Sequence, residues 1–410
     1  MISVEEHLET ILAAVHPLAP REVSLSEAHG CVLAQDVESR VSLPGFDNSA
    51  MDGYAIRAAD LALASDLNPI TLVVDGVIPA GDRRRRVLGL KRAWRMMTGG
   101  PIPDGADAVV PVDLTDGGTK TVTFRAPTPQ GSFIRIKGHD VKHSQVCLKA
   151  GVRIGPKELA LLAATGNSLV TVIPRPRVVV ISTGDELVSP GMIPGFGQVV
   201  DTNGMMLAAA VKELGGVPVQ ISQVPDDHDA VLAAVQSQLA RADAVITTGG
   251  VSVGVYDTVK AALSRLGTVE FRVAMQPGMP QGFGTLGPRH VPVFTVPGNP
   301  VSAMVSFEVF VGPALRAMAG RALRETPAIR AVAIHSWNSP QDKVHYARVT
   351  VKVTDWGYQV ALCAGQGSHQ LGGLADADAL AVIPAGVGRV EAGDVVVCLP
   401  LRALPTSAPG

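Results

Sequence analysis

Apolar residues in the first twenty positions recur at helical spacing. Val4, Leu8, Ile11, Leu12 and Val15 fall on one face, and Ser3 stands where an N-cap belongs. The chain then turns extended around REVSLSEAHGCVLAQDV. Between residues 41 and 137 the short apolar runs ITLVVDGVI, ADAVVPV and TVTFRA alternate with Gly, Pro and Asp, which predicts a small all-β unit. Helical spacing returns at PKELALLAATG. The β unit therefore reads as an insertion into a helical and extended N-terminal domain made of residues 1–40 and 138–173.

Strands and helices alternate from 174 to 326. VVVIS is a continuous apolar run, as expected of a strand covered on both faces. After it come the helix NGMMLAAAVKELGG, the strand VPVQISQV, the helix DAVLAAVQSQLARA, the strand DAVITT and the helix DTVKAALSRLG. Strands VEFRVAM and VPVFTVP and the apolar helix SAMVSFEVFVGPALRAM close the region. Such an order predicts a mostly parallel, doubly wound α/β sheet. Residues 327–410 return to short β runs, AVAIHSW, YARVTVKVT, YQVALCA, ALAVIPA and DVVVCLPL, which suit a small barrel or sandwich.

Composition narrows the class. A chain of 410 residues exceeds one ordinary core, and 47% hydrophobic residues exclude a largely disordered one. Lys plus Arg (35) nearly balances Asp plus Glu (37), so no global field attracts nucleic acid or an anionic membrane. Cys31, Cys147, Cys363 and Cys398 form no CxxC pair, which fits a reducing compartment and speaks against structural zinc. Glu5, Glu6 and Glu9 precede the first apolar residues, the reverse of a signal peptide. No run reads as long and apolar enough to span a bilayer. The expectation is a soluble, cytoplasmic protein.

In an open parallel sheet, ligands bind beyond the carboxyl ends of the strands. Three loops fall there. STGDELV presents Ser182, Thr183, Gly184, Asp185 and Glu186; TTGGVSVGVYD presents Gly249, Gly250, Ser252 and Gly254; PGNPVSA presents Pro297, Gly298, Asn299 and Pro300. Glycines at such turns let backbone amides approach an anion, although a tight turn alone would also select them. Three such loops in one sheet favour a phosphate- or pterin-bearing ligand. Asp185, Glu186 and Asp257 are placed to hold Mg²⁺, while Asp257 also fits the N-cap of TVKAALSRLG, and Asp201 with Asn203 fits ordinary capping. His139 and His143 have the i, i+4 spacing of a zinc helix, with Asp140 beside His139. Their flanks read as extended, which favours a surface role. The cations Arg83 to Arg86, Lys91, Arg92 and Arg95 read as solvated surface with a local field for anions. LPGFDNSAMDGYA is unlike a solvated loop, because Phe46, Met51 and Tyr54 sit among its turn formers.

These motifs together resemble the MoeA family of molybdopterin molybdenumtransferases, which is also the E domain of gephyrin-like proteins. LPGFDNSAMDGYA, RMMTGGPIPDGADAVVP, IRIKGHD, ISTGDELV, DTNGMM, TTGGVSVGVYDTVK, VPGNPVSA and GQGSHQLGGLADADAL carry the resemblance, in order along nearly the whole chain. It implies an interrupted N-terminal domain, an inserted β domain, a MogA-like molybdopterin-binding domain and a C-terminal β barrel. It implies insertion of molybdate into adenylylated molybdopterin with release of AMP and a divalent cation such as Mg²⁺. An elongated homodimer is implied, its cleft shared between subunits, with MogA-like or other cofactor-biosynthesis proteins as further partners. By the same likeness Asp52, Thr98, Asp140, Glu186 and Asp257 are functional. Glu186 and Asp257 would lie on the metal and phosphate side, and Asp52 with Thr98 on the facing wall. Ser368 joins the cofactor-binding loops, and Phe46, Met51 and Tyr54 would anchor their loop on its own domain.

The chain departs from the family pattern at several positions. Gln276 and Met279 replace two lysines, His139 replaces Glu, Ser144 replaces Gly, Val255 stands at a usually charged position, and Gly373 replaces a frequent Ser. A scaffold that binds molybdopterin but inserts metal poorly is therefore one alternative. An adenylyltransferase-like nucleotide-binding enzyme is another.

Overall fold

Period-two alternation decides how the central sheet is buried. In the strand Arg177–Thr183, Val178 and Val180 enter one core while Val179 and Ile181 enter another. Ala244–Thr248 and Val291–Val296 alternate in the same way, so both faces of the sheet are covered. The sheet order is Val217–Val224, Arg177–Thr183, Ala244–Thr248, Val291–Val296, Pro280–Leu286, Val269–Arg272. The first four strands are parallel neighbours; Pro280–Leu286 is antiparallel to both of its neighbours, so Val269–Arg272 runs in the same direction as the first four. Helices Asn203–Leu214 and Pro300–Met318 cover one face; His228–Gln238 covers the other. This computed structural model describes residues 1–249, 263–264, 267–324 and 326–404, and its chain divides into two compact units. One holds residues 1–21, 30–32 and 173–410; the other holds 22–29 and 33–172. Of the expected helix DTVKAALSRLG, only Leu263 and Ser264 are among the described residues.

Three readings of this first unit change. Pro280–Leu286 is a strand, whereas the sequence placed none there, because Gly282 and Gly284 break its apolar signature. Pro300–Met318 is a continuous helix long and apolar enough by composition to cross a membrane, contrary to expectation. It is 78% buried and is the spine of the α/β core. Its middle, Phe307–Val311, is a π turn just ahead of Pro313. Proline cannot donate to the carbonyl four residues back and crowds it, and the wider turn accommodates that. Finally, the helix Val4–Ala14 packs on the α/β core through Val4 and Ile11, where the sequence had grouped it with residues 138–173. Its start is as expected: Ser3 accepts from Glu6 N, and Glu6 accepts from Ser3 N. His7 on this helix is buried between Phe271 and Phe310, with ring centroids 4.7 Å away in each case.

Each of the five C-terminal β runs contains a strand, and the strands close into a barrel. Val344–Thr354 pairs with Gly357–Leu362, then Ile329–Ala333, Val395–Pro400 and Ala379–Ile383 follow, the last returning to Val344–Thr354. Five strands enclose little space, so the interior is small: Ala331, Ala333, Ala347, Ala379 and Ala381 pack with Val349, Val360, Cys398 and Trp337.

In the second unit a five-stranded sheet, ordered Ala108–Pro111, Gly53–Ile56, Arg92–Met96, Ile70–Ile78, Thr121–Phe124, is the expected β insertion. The segments flanking it pair with each other, Val37–Glu38 with Val146–Leu148. Tyr54 is fully buried and its hydroxyl donates to Gly118 O at 2.9 Å. Phe46 and Met51, by contrast, are 50% and 41% exposed, so they do not anchor their loop. Both precede the strand Gly53–Ile56, and in their loop it is Asn48 and Ser49 that turn inward. Ser144 has φ +62°, a left-handed conformation that explains why glycine suits this position.

Candidate functional site

A cleft of about 730 Å³ opens beyond the carboxyl ends of the parallel strands. Ser182 and Thr183 end the first strand, Gly249 follows the third, and Pro297, Gly298, Asn299 and Pro300 follow the fourth; all of them line the cleft. Gly249 has φ +104°, and a Cβ there would lie 2.3 Å from Thr183 O, so only glycine permits this approach of two strand ends. Gly184 continues the first loop and its N–H donates to Val224 O at 3.2 Å. Gly250, Ser252, Gly254 and Asp257 lie outside the described residues.

Asn203 is more than a cap. It occupies the first turn of Asn203–Leu214, and its Nδ2 donates to Thr248 Oγ1 at 2.8 Å and to Gly298 O at 2.7 Å. Thr248 Oγ1 in turn donates to Pro297 O at 3.1 Å. One amide thus clasps two of the three loops. Asp201 does cap, accepting from Gly204 N at 3.0 Å.

The barrel supplies a further wall. Asn299 Nδ2 donates to Ser368 Oγ at 3.1 Å, Val301 N donates to Ser368 O at 3.0 Å, and His369 lines the cleft. Beneath this loop lies Arg348, fully buried. Its guanidinium donates to Gln370 O at 2.9 Å, Gly365 O at 2.7 Å and Gly367 O at 3.0 Å. Gly373 closes the same loop; a Cβ there would lie 2.3 Å from Ala364 O, which excludes the serine frequent in the family.

Glu186 lines the cleft on the acidic side. Its neighbours are Asp185, whose Oδ1 accepts from Asp226 N at 3.1 Å, and Asp226 itself. Burial, and then the charges of Glu186 and Asp185, raise the Asp226 carboxyl above its ordinary value. Thr183 stands beside the Asp226 carboxyl and offsets part of that rise. Like charges crowded together in this way suit a hard divalent cation. Among the described residues no three His, Cys, Asp or Glu side chains gather as a ligand set. Asp226 was missed in the sequence, although QVPDD follows a strand just as the three chosen loops do.

The remaining expected residues belong to the second unit. Thr98 N and Thr98 Oγ1 both donate to Asp52 Oδ1 at 2.7 Å. These bonds, with the charge of Arg95, hold the Asp52 carboxyl below its ordinary value. Asp52 and Thr98 are exposed, as are His139 and Asp140; Asp140 N donates to Leu43 O at 3.0 Å. His143 lies in irregular chain, with Nδ1 2.9 Å from Ser144 Oγ, so no zinc helix forms. Of the basic run, Arg84 and Arg86 pair with Asp82, and Arg92 pairs with Asp75. At the positions of the missing lysines, Gln276 is exposed, and Arg272 Nη2 lies 3.6 Å from Met279 Sδ.

Comparison with known proteins covers the same ground. Residues 2–166 match the MoeA N-terminal region (domain I and II), 179–317 a probable molybdopterin binding domain, and 330–401 the MoeA C-terminal region (domain IV). The chain is 43% identical to molybdopterin molybdenumtransferase 2 of Mycobacterium tuberculosis, over 96% of this chain and 98% of that one. It is 34% identical to the molybdopterin molybdenumtransferase of Haemophilus influenzae, over 95% of each. A crystal structure of the molybdopterin biosynthesis MoeA protein of Pyrococcus horikoshii OT3 superposes with a TM-score of 0.76 at 28% identity, covering 97% of this chain and 99% of that one. With all three regions matched in order and relatives aligned end to end, the chain belongs to the MoeA family of molybdopterin molybdenumtransferases, transferases of molybdenum-cofactor biosynthesis.

Proposed function

We propose that this chain inserts molybdate into adenylylated molybdopterin, releasing AMP, with Mg²⁺ as the cation. The observation that carries this reading is one cleft in which the loops of the parallel strands and the Ser368–His369 loop converge beside the crowded carboxylates Glu186 and Asp226. Glu186 and Asp226, with Asp257, would hold the cation, which supplies positive charge against phosphate and molybdate oxygens. Asn203 and Gly249 keep the loops that receive the substrate at fixed separation. Asp52, oriented by two bonds from Thr98, is an ionised carboxylate available to handle a proton, and Asp140 belongs with it in the proposal. The reading includes a cytoplasmic homodimer whose subunits share each cleft, and exchange with other cofactor-biosynthesis proteins.

Purified protein supplied with adenylylated molybdopterin, Mg²⁺ and molybdate tests it: AMP release that depends on molybdate is the expected result. Glu186→Gln, which removes a charge at constant size, abolishes that release while leaving the fold intact. Undiminished release by this variant would remove Glu186 from the metal side. Gln276 and Met279 favour a second reading, a scaffold that binds the pterin without turnover. Arg272 beside Met279 weighs against it, because a cation stands next to one lost lysine. Tight binding without AMP release would establish the scaffold.

A further inference from the structure

We propose that His369, as its imidazolium, grips a tetrahedral oxyanion in the cleft, which makes oxyanion binding by this chain depend on pH. The inference rests on the preceding reading, in which the substrates bring molybdate and phosphoryl groups. Anions of that kind call for positive charge, yet Gln276 and Met279 stand where the family pattern has lysines. Among the described residues that line the cleft there is no Lys and no Arg. Glu186 and Asp201 line it, and His369 is the one described side chain there that can turn positive. Arg272, beside Met279, is not among the lining residues.

His369 is held in place by its loop. Ser368, just before it, is tied to the α/β wall by Asn299 Nδ2 and Val301 N. Behind the loop, Arg348 uses both terminal nitrogens on Gly365 O, Gly367 O and Gln370 O. The ring is exposed, and among the described residues no hydrogen bond or ion pair engages it. The elements packed against the loop bring few charges: Arg348 from its strand, Asp376 at the end of the helix Leu371–Ala375, and none from the opening turns of Pro300–Met318. From the cleft come Glu186 and Asp201. The helix Pro300–Met318 begins at the same wall, and its N-terminal dipole adds to a field that favours an anion. Histidine is the side chain whose charge changes in the neutral range. An entering dianion favours the charged ring, so binding takes up a proton and weakens as pH rises. Molybdate keeps both of its charges throughout that range, so the change lies in the protein.

Equilibrium dialysis of the full chain with molybdate alone, and separately with AMP, tests this assignment from about pH 5.5 to about pH 8.5 without Mg²⁺. Wild-type affinity for at least one of the two is expected to fall about fivefold or more across that range. His369→Gln binds that ligand weakly at every pH, and His369→Arg binds it tightly with no such fall. The ring is exposed, so neither substitution disturbs the fold. Loss of molybdate binding in His369→Gln seats the incoming metal oxyanion at this residue, and loss of AMP binding seats the phosphate there; either supports the proposal. A pH dependence that persists in His369→Gln belongs to carboxylates such as Asp226 and overturns it. So does wild-type affinity of His369→Gln for both ligands, or a wild type that binds neither. Binding that follows His369 in a protein with no AMP release would remove the transferase reading and leave this one standing.

Discussion

Replacing Arg348 by methionine tests whether one buried cation sets the loop that brings His369 to the cleft. The guanidinium makes three charge-assisted bonds to main-chain carbonyls, at 2.7, 2.9 and 3.0 Å. Bonds of this kind contribute about 1.5–3 kcal/mol each. Burial of the cation offsets part of that, as its lowered pKa records. Methionine fills similar space but leaves Gly365 O, Gly367 O and Gln370 O without their donor. The expected net loss is about 3–5 kcal/mol: three acceptors left unpaired at about 1–3 kcal/mol each, less the desolvation cost that the cation no longer carries. Trp337 lies in the barrel core, so its fluorescence in a Trp94→Phe, Trp356→Phe background reports barrel unfolding in urea. Arg348→Lys keeps the charge yet cannot bridge three carbonyls in one plane, and falls between the two. The positioning role predicts that binding and AMP release fall in Arg348→Lys under conditions where it is fully folded. Wild-type stability in Arg348→Met, or full activity in Arg348→Lys, would show that Arg348 does not set this loop.

Three further outcomes follow from the same geometry. Burial lowers the His7 pKa from 6.5 to about 4, so the unfolded chain takes up this proton first. Stability attributable to His7 is therefore complete above pH 6.5 and is lost as pH falls toward 4, by about 3 kcal/mol, and His7→Phe abolishes that limb of the urea-midpoint profile. The Asp226 carboxyl is raised, so its charged form penalises the fold once pH climbs past the folded value; the penalty is absent below the ordinary carboxylate range. Asp226→Asn accordingly raises the melting temperature at pH 7 but not at acid pH, and Mg²⁺ stabilises the wild type more than this variant. Thr98→Val removes one of the two donors to Asp52 and should move that carboxyl up toward its ordinary value in a carboxyl carbon NMR titration. An unmoved titration would show that Thr98 Oγ1 does not control it.

Periodicity made the elements of this protein legible. Barrel strands and the parallel strands of the central sheet announce themselves because period-two burial and continuous apolar runs are local patterns. Capping at Ser3 was equally plain, since its partner lies three residues away. The same logic placed Ser182, Thr183, Gly249 and Pro297 to Pro300 at strand ends, and the strand-end rule brought them into one cleft. Pro280–Leu286 escaped because glycines erased its pattern, and the exposure of Phe46 and Met51 escaped because side-chain size says nothing about direction.

Whatever joins distant positions emerges only once the chain is packed. Asn203 reaches Gly298 across 95 positions, so a residue that reads as a helix cap clasps two loops. Arg348 looks like any charge on an alternating strand until the barrel closes and buries it under the Ser368–His369 loop. The helix Val4–Ala14 shows an apolar stripe, yet nothing local says that Phe271 and Phe310 will meet it. Sequence determined where each element begins and which face it must hide, because those depend on neighbours a few residues apart. Folding decided which hidden faces meet and which polar atoms remain without partners, because both depend on the whole chain packing at once.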